Sequence, residues 1–225
     1  MFLNAETGQY ANNTVTANIL SLMQDLTPDS LQGKVFENIV EKTQGEFDSH
    51  VSTGLIGIQF LMRGLTEHGK GDLAYTIATN RTYPSWGYMI WELWNGDTAD
   101  PAMNSGNHVM LLGDLMTWYY ENLAGIKSDP QQVGFKKIVM APYFPDGLDW
   151  VNASYESLYG PIESNWKKGE NGLSWKVVIP ANTTASIRIP AASADKVTES
   201  GKPLLQNPAV KSVNAADGFV VVEAG

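Results

Sequence analysis

The sequence predicts two domains of different class, an α-helical first half and an antiparallel β-sandwich in the second. Three observations carry this. Apolar residues recur with a period near 3.6 from about Thr16 to Ala124. After Asp129 and Pro130 they fall into short β-branched runs. Pro, Gly and Asn turns separate those runs. The change of grammar places the boundary near residues 127 to 134, giving a helical domain over 1–126 and a sandwich over 127–225.

The helical elements follow in order. In TVTANILSLMQDLTPDS, Val15, Ile19, Leu22, Met23 and Leu26 share a face, and Pro28 is expected to stop the helix. SLQGKVFENIVEKTQ repeats the theme with Leu31, Val35, Phe36, Ile39 and Val40. STGLIGIQFLMRGLTEHG is apolar all round, as a helix with neighbours on several sides would be, and DLAYTIATN follows a Gly-Lys-Gly break. SGNHVMLLGDLMTWYYENLAGI should form a last helix roughly 30 Å long, capped by Ser105 and ended by Gly125. The strand candidates are FKKIVMAP, LSWKVVIP, TTASIRIP and GFVVVEAG. Spacing of the helical hairpins is too irregular for a solenoid.

Composition narrows the partners. The 225 residues are 43% hydrophobic and 17% charged, a globular balance, and the formal net charge is -9. Nucleic acid and anionic membrane surfaces are disfavoured, because phosphate-binding faces need clustered Lys and Arg. The absence of cysteine excludes disulfides and thiolate metal sites without fixing a compartment. No apolar run reaches the roughly 18 residues of a spanning helix. The opening MFLNAETGQY lacks the basic region and apolar core of a secretion signal. Histidines 50, 68 and 108 show no ligand spacing, so no metal site is expected, nor any cofactor.

The chemistry concentrates in YPSWGYMIWELWNGDTADPAMNSGNH, residues 83 to 108. A sugar ring has a weakly polar face that stacks on aromatic rings and a rim of hydroxyls that pair with carboxylates, amides and histidine. Tyr83, Trp86, Tyr88, Trp91 and Trp94 suit the first, and Glu92, Asn95, Asp97, Asn107 and His108 the second. A carboxylate between two indoles is partly desolvated, which raises its pKa and suits it to accept a proton. The bland alternatives have weight. Trp118 on an apolar helix reads as core, His108 by default as a packing histidine, and His50 and His68 as structural or solvated. Trp150, Tyr155, Tyr159, Trp166 and Trp175 could hint at a second sugar site, yet aromatic residues on strands are more often core. Glycoside cleavage normally uses two carboxyl groups, and only one good candidate stands here.

YPSWGYM, WELWNG, MNSGNHVM, WYYENLAGI and GFKKIVMAP, in this order, with HVSTGLIG before them and YGPIESNWKK and VVIPANTTASIRIPA after, closely resemble the C-terminal part of bacterial α-L-rhamnosidases of glycoside hydrolase family 78. The resemblance covers nearly the whole chain. It implies the last helices of an (α/α)6 barrel followed by a C-terminal β-sandwich. An inverting mechanism is implied too, with its general base at Glu92 in the Trp91–Glu92 motif and sugar contacts from Asn107 and His108. Glu92 would then deprotonate a water across roughly 6.5 to 9.5 Å from the acid, with Trp86, Trp91 and Trp94 shaping the sugar subsite.

This sequence departs from that pattern twice. About five of twelve barrel helices are present, and no Asp/Arg/Glu-rich segment of the kind that carries the general acid occurs. Ile90 also joins Met89 directly to Trp91, without the Gly-Ala-Thr-Thr stretch usual between the two motifs. The expectation is therefore a fragment that carries the base but not the acid and is inactive alone. Its substrate class would be a rhamnosylated small molecule or polysaccharide. A partial barrel should expose apolar surface, with GLIGIQFLM foremost, and so pair with a missing N-terminal portion or self-associate. A non-catalytic carbohydrate-binding or structural module is the alternative, and an unrelated helical-barrel hydrolase a third reading.

Overall fold

A computed structural model describes residues 2–87 and 109–225, which divide into two compact units, Met1–Trp118 and Tyr119–Gly225. The first opens with a small hairpin, β1 (Leu3–Asn4) and β2 (Gln9–Tyr10), followed by α1 (Val15–Met23), α2 (Asp29–Gln44), α3 (Leu55–Glu67), α4 (Gly71–Thr79) and α5 (Val109–Trp118). Five α-helices thus lie among the described residues, where the 3.6 period put them. The predicted cap at Ser105 falls outside the described residues.

α1 begins where the Thr14 hydroxyl accepts from the Ala17 amide at 3.2 Å. Its buried face is Val15, Asn18, Ile19 and Leu22. Asn18 is wholly buried and fully engaged: Oδ1 accepts from the Tyr10 amide at 2.9 Å, and Nδ2 donates to Asn13 Oδ1 at 2.7 Å. The polar group therefore fastens the hairpin to the helix without a desolvation penalty. Leu26 does not join the face, because the helix ends at Met23, Asp25 turns to φ +53°, and Leu26 is left 68% exposed. Its carbonyl instead accepts from the Tyr10 hydroxyl at 3.1 Å. Nor does Pro28 stop α1; it caps the start of α2, where a missing N–H costs nothing.

α3 is the centre of this unit and packs against α1, α4 and α5. Gly57, Ile58, Leu61, Met62, Gly64 and Leu65 are buried, so most of GLIGIQFLM is covered and only part of it, at Ile56, is the exposed apolar surface that a partial barrel suggested. Two glycines explain the close fit. A Cβ on Gly64 would stand 2.6 Å from Ile19 Cδ1, and one on Gly57 would stand 2.7 Å from Thr16 Oγ1, so both α1 contacts exist only without a side chain. Exposed apolar side chains include Ile56 within that stretch and, along α5, Val109, Met110, Leu112 and Met116. The opposite side of α5 is buried through Leu111, Leu115 and Trp118. Trp118 is core, with its indole N–H donating to Thr66 Oγ1 at 2.9 Å.

The second unit opens with a π-helical turn, Tyr119–Leu123, and then builds two sheets. The five-stranded sheet has the order β11–β12–β8–β4–β3. It comprises β3 (Ile126–Ser128), β4 (Lys137–Met140), β8 (Thr184–Pro190), β11 (Val210–Ala216) and β12 (Phe219–Ala224). The three-stranded sheet orders β5 (Trp150–Ser157), β6 (Gly160–Gly169) and β7 (Gly172–Val178). A short separate hairpin pairs β9 (Thr198–Glu199) with β10 (Lys202–Pro203). Ile126, Ile138, Met140 and Ala185 of the larger sheet and Ile162 of the smaller form one buried cluster, with Val151, Ala153, Trp175 and Val177 packed on it, which makes the unit a sandwich. It is not wholly antiparallel, since β4 and β8 run parallel. The chain leaves β4 to build β5, β6 and β7 before returning, and a connection that long allows the parallel direction.

Ser164 holds the middle of the sandwich. Its buried hydroxyl donates to the Ala124 carbonyl at 2.6 Å and accepts from Trp175 Nε1 at 3.0 Å, while Trp166 Nε1 donates to the Leu123 carbonyl at 2.8 Å. Gly125, at φ +74°, ends the helical turn, as its place in the sequence suggests, and a Cβ there would meet Pro142 N at 2.2 Å.

Two outcomes follow from this packing. Gly64→Ala should destabilise the helical unit by about 1 to 3 kcal/mol through overpacking against Ile19, read as a fall in the thermal midpoint. Ser164→Ala leaves a buried carbonyl and a buried indole N–H unpaired, and should cost about 1 to 3 kcal/mol in urea titration at unchanged slope.

Candidate active site

The chain approaches the aromatic stretch through a tethered turn. Asn80 Oδ1 accepts from the Thr82 amide at 3.2 Å and from its hydroxyl at 2.8 Å, and the same hydroxyl is 2.8 Å from His50 Nε2. His50 Nδ1 lies 2.9 Å from the Asp48 carbonyl, so this histidine spans two loops. His68 stacks on Phe36 at 4.8 Å between centroids, and its Nδ1 is 2.9 Å from the Gly64 carbonyl. Both are structural, as the sequence suggests. Ser85 is completely buried, with no hydrogen-bond partner for its hydroxyl among the described residues.

Of the aromatic candidates, Tyr83 and Trp86 lie within the described structure, Tyr83 being exposed; Trp86 is the better placed. It is half-buried, and its indole N–H donates to the Leu111 carbonyl at 2.9 Å. Leu111 belongs to the first turns of α5, directly after the Asn107–His108 pair in sequence. One hydrogen bond therefore brings together the two ends of the span that holds the remaining candidates. Trp86 acts through its nitrogen as an anchor. Glu92, Trp91, Trp94, Asn107 and His108 lie outside the described residues.

A carboxyl group that the sequence reading passed over sits on the same helix. Asp114 interrupts the apolar run VMLLGDLMTW of α5. Burial raises its pKa above the ordinary 3.8, and the nearby Arg63 guanidinium draws it partly back. An acid at the centre of an otherwise apolar helix was the available signal. Among the described residues no group of three His, Asp or Glu side chains could hold a metal ion, and no helix is long and apolar enough to cross a membrane.

Asp114→Asn tests the carboxyl. A raised folded pKa means that folding favours the protonated form, so Asp114 imposes no cost below its unfolded pKa and a growing one as pH rises through the folded value. The variant should gain stability over the parent at pH 7 and none at pH 3, compared by thermal melts at both. Trp86→Phe keeps the ring and removes the donor, and should lower stability by about 1 kcal/mol in chemical denaturation.

Similarity to known proteins bears on both halves. The family model of the bacterial alpha-L-rhamnosidase 6 hairpin glycosidase domain matches residues 1–123, and that of the bacterial alpha-L-rhamnosidase C-terminal domain matches residues 125–203. An alpha-L-rhamnosidase of Streptomyces avermitilis is 34% identical over 233 residues, covering 98% of this chain and 22% of that protein. One from Formosa agariphila is 35% identical over 196 residues, covering 82% of this chain and 21% of its own length. The crystal structure of the Streptomyces avermitilis alpha-L-rhamnosidase complexed with L-rhamnose superposes with a TM-score of 0.86 at 32% identity, over 99% of this chain and 22% of that one. The chain thus spans about a fifth of the length of the relatives it matches.

Proposed function

Because the chain belongs to the bacterial α-L-rhamnosidases, a family of glycoside hydrolases, we propose that it forms the C-terminal part of an inverting enzyme that hydrolyses terminal α-L-rhamnosyl linkages. One observation supports this most. The six-hairpin glycosidase match runs continuously through residues 83 to 108, where an aromatic and carboxylate-bearing stretch suited to a sugar lies between anchored ends. That the Streptomyces avermitilis relative is complexed with L-rhamnose agrees with such a substrate.

In this reading Glu92 is the general base, polarising the water that attacks the anomeric carbon. Flanking indoles desolvate its carboxylate and strengthen its pull on the proton. Asn107 and His108 hold ring hydroxyls, and Trp86, Trp91 and Trp94 form the walls of the subsite. The general acid comes from outside this chain, so the two carboxyl groups needed for inversion meet only when the rest of the barrel is present.

The apolar side chains of α5, Val109, Met110, Leu112 and Met116, would lie against further barrel helices or a second copy of the chain. The isolated chain should therefore sediment as a dimer or larger and bind a hydrophobic dye. A compact monomer without dye binding would remove this part of the reading.

Assay on an aryl α-L-rhamnoside decides the catalytic part. The chain alone should show no turnover above background, while rhamnose binding by saturation-transfer NMR persists in the parent and in Glu92→Gln. Robust turnover by the chain alone would place the acid within these residues, and if that turnover survived Glu92→Gln, Glu92 would be removed as the base.

A further inference from the structure

The outward face of the three-stranded sheet carries a cluster that the hydrolase reading does not use. Strand alternation buries Ile162, Ser164 and Trp166 and turns the intervening residues to the other side. Register places Trp150, Lys167 and Ser174 side by side in one row, and Asn152, Asn165 and Lys176 in the next. A depression of about 340 Å³ opens among them, within the size range of small-ligand sites. Rows are about 7 Å apart along a strand and strands about 5 Å apart, so the patch has the footprint of one or two pyranose rings.

The side chains divide into a fixed set and a free set. Asn165 Oδ1 accepts from the Ala153 amide at 3.1 Å and its Nδ2 donates to Glu163 Oε2 at 3.3 Å, while Lys176 Nζ donates to the same carboxylate oxygen at 2.7 Å. That set is engaged in its own hydrogen bonds and a surface ion pair. Trp150 is 57% exposed, unlike Trp166 and Trp175 on the inward side of the same sheet. Among the described residues the Asn152 amide, the Ser174 hydroxyl and the Lys167 ammonium have no side-chain hydrogen bond or ion pair. An uncovered indole beside an amide and a hydroxyl matches the apolar face and polar rim of a sugar ring. The uncompensated ammonium, in a chain of net charge -9, adds attraction for one negative charge. One unpaired lysine, with Lys176 already held by Glu163, and no arginine do not make a polyphosphate surface.

We propose that this face binds a glycan through a uronic-acid residue. Trp150 stacks on the pyranose ring, Asn152 and Ser174 bond its hydroxyls, and Lys167 pairs with its carboxylate. The proposal concerns the second unit alone and stands or falls apart from the rhamnosidase reading.

Calorimetry on the 225-residue chain with a β-1,4-linked oligoglucuronate and a cello-oligosaccharide of equal length isolates the carboxylate, the one group by which their rings differ. The oligoglucuronate should bind with a Kd between micromolar and millimolar and shift backbone amide resonances of β5, β6 and β7. Trp150→Ala should weaken it about tenfold. Lys167→Gln should weaken it several-fold and flatten the salt dependence. Both positions are exposed, and unchanged thermal midpoints establish that the variants fold. No binding of either sugar, equal affinity for the two, or an affinity untouched by Trp150→Ala and Lys167→Gln would each overturn the proposal.

Discussion

The geometry of the candidate site depends on how the two ends of its span are held. Trp86 and Leu111 stand 25 positions apart and meet in one hydrogen bond. Closing a flexible loop of that length costs roughly 3 kcal/mol in chain entropy, whereas a neutral hydrogen bond contributes about 1 kcal/mol net. The bond therefore sets the register of the two ends without being what holds them together. The larger contribution comes from burial around α3, against which both α4 and α5 pack. Its glycines at 57 and 64 let α1 close the far side, so the placement of Trp86 and Leu111 rests on helix packing well away from them.

Much of that packing was legible from sequence, and the failures share one cause. Period 3.6 located α1 through α5 because amphipathic helices advertise which face is apolar. It could not say which of two helices that are apolar all round would be covered. In GLIGIQFLM, Gly57 makes room for the Thr16 side chain of α1, and most of the stretch other than Ile56 is covered. VMLLGDLMTW is equally apolar and leaves Leu112 and Met116 exposed. Leu26 failed for a local reason, since one left-handed residue at Asp25 removes everything after it from the helical face.

In the sandwich, alternation gave β4, β7, β8 and β12 but not β3, β5, β6 or β11, nor the direction of β4 relative to β8, which is fixed by the route of the intervening chain. Alternation also could not sort the tryptophans. Trp150 and Trp166 lie on neighbouring strands of one sheet, yet Trp166 points into the core and donates to Leu123 while Trp150 points away. Only the register, which pairs Trp150 with Lys167 rather than with Trp166, separates them. Trp86 shows the same limit for the site itself: composition offered it as a stacking surface, whereas its distinguishing contact is made by the indole nitrogen.

The two faces of α5 carry the functional argument one step further. Leu111, Leu115 and Trp118 commit one side of the helix to the core, which fixes the start of α5 and with it the exit of the span bearing Glu92. The other side leaves Val109, Met110, Leu112 and Met116 in water, and covering several such side chains is worth about 1 kcal/mol or more apiece. On the proposed reading the same event that buries this face also brings up the carboxylic acid that Glu92 lacks. Assembly and catalytic competence would then be linked through one helix, since anything that covers α5 also covers the helix whose Leu111 carbonyl holds Trp86.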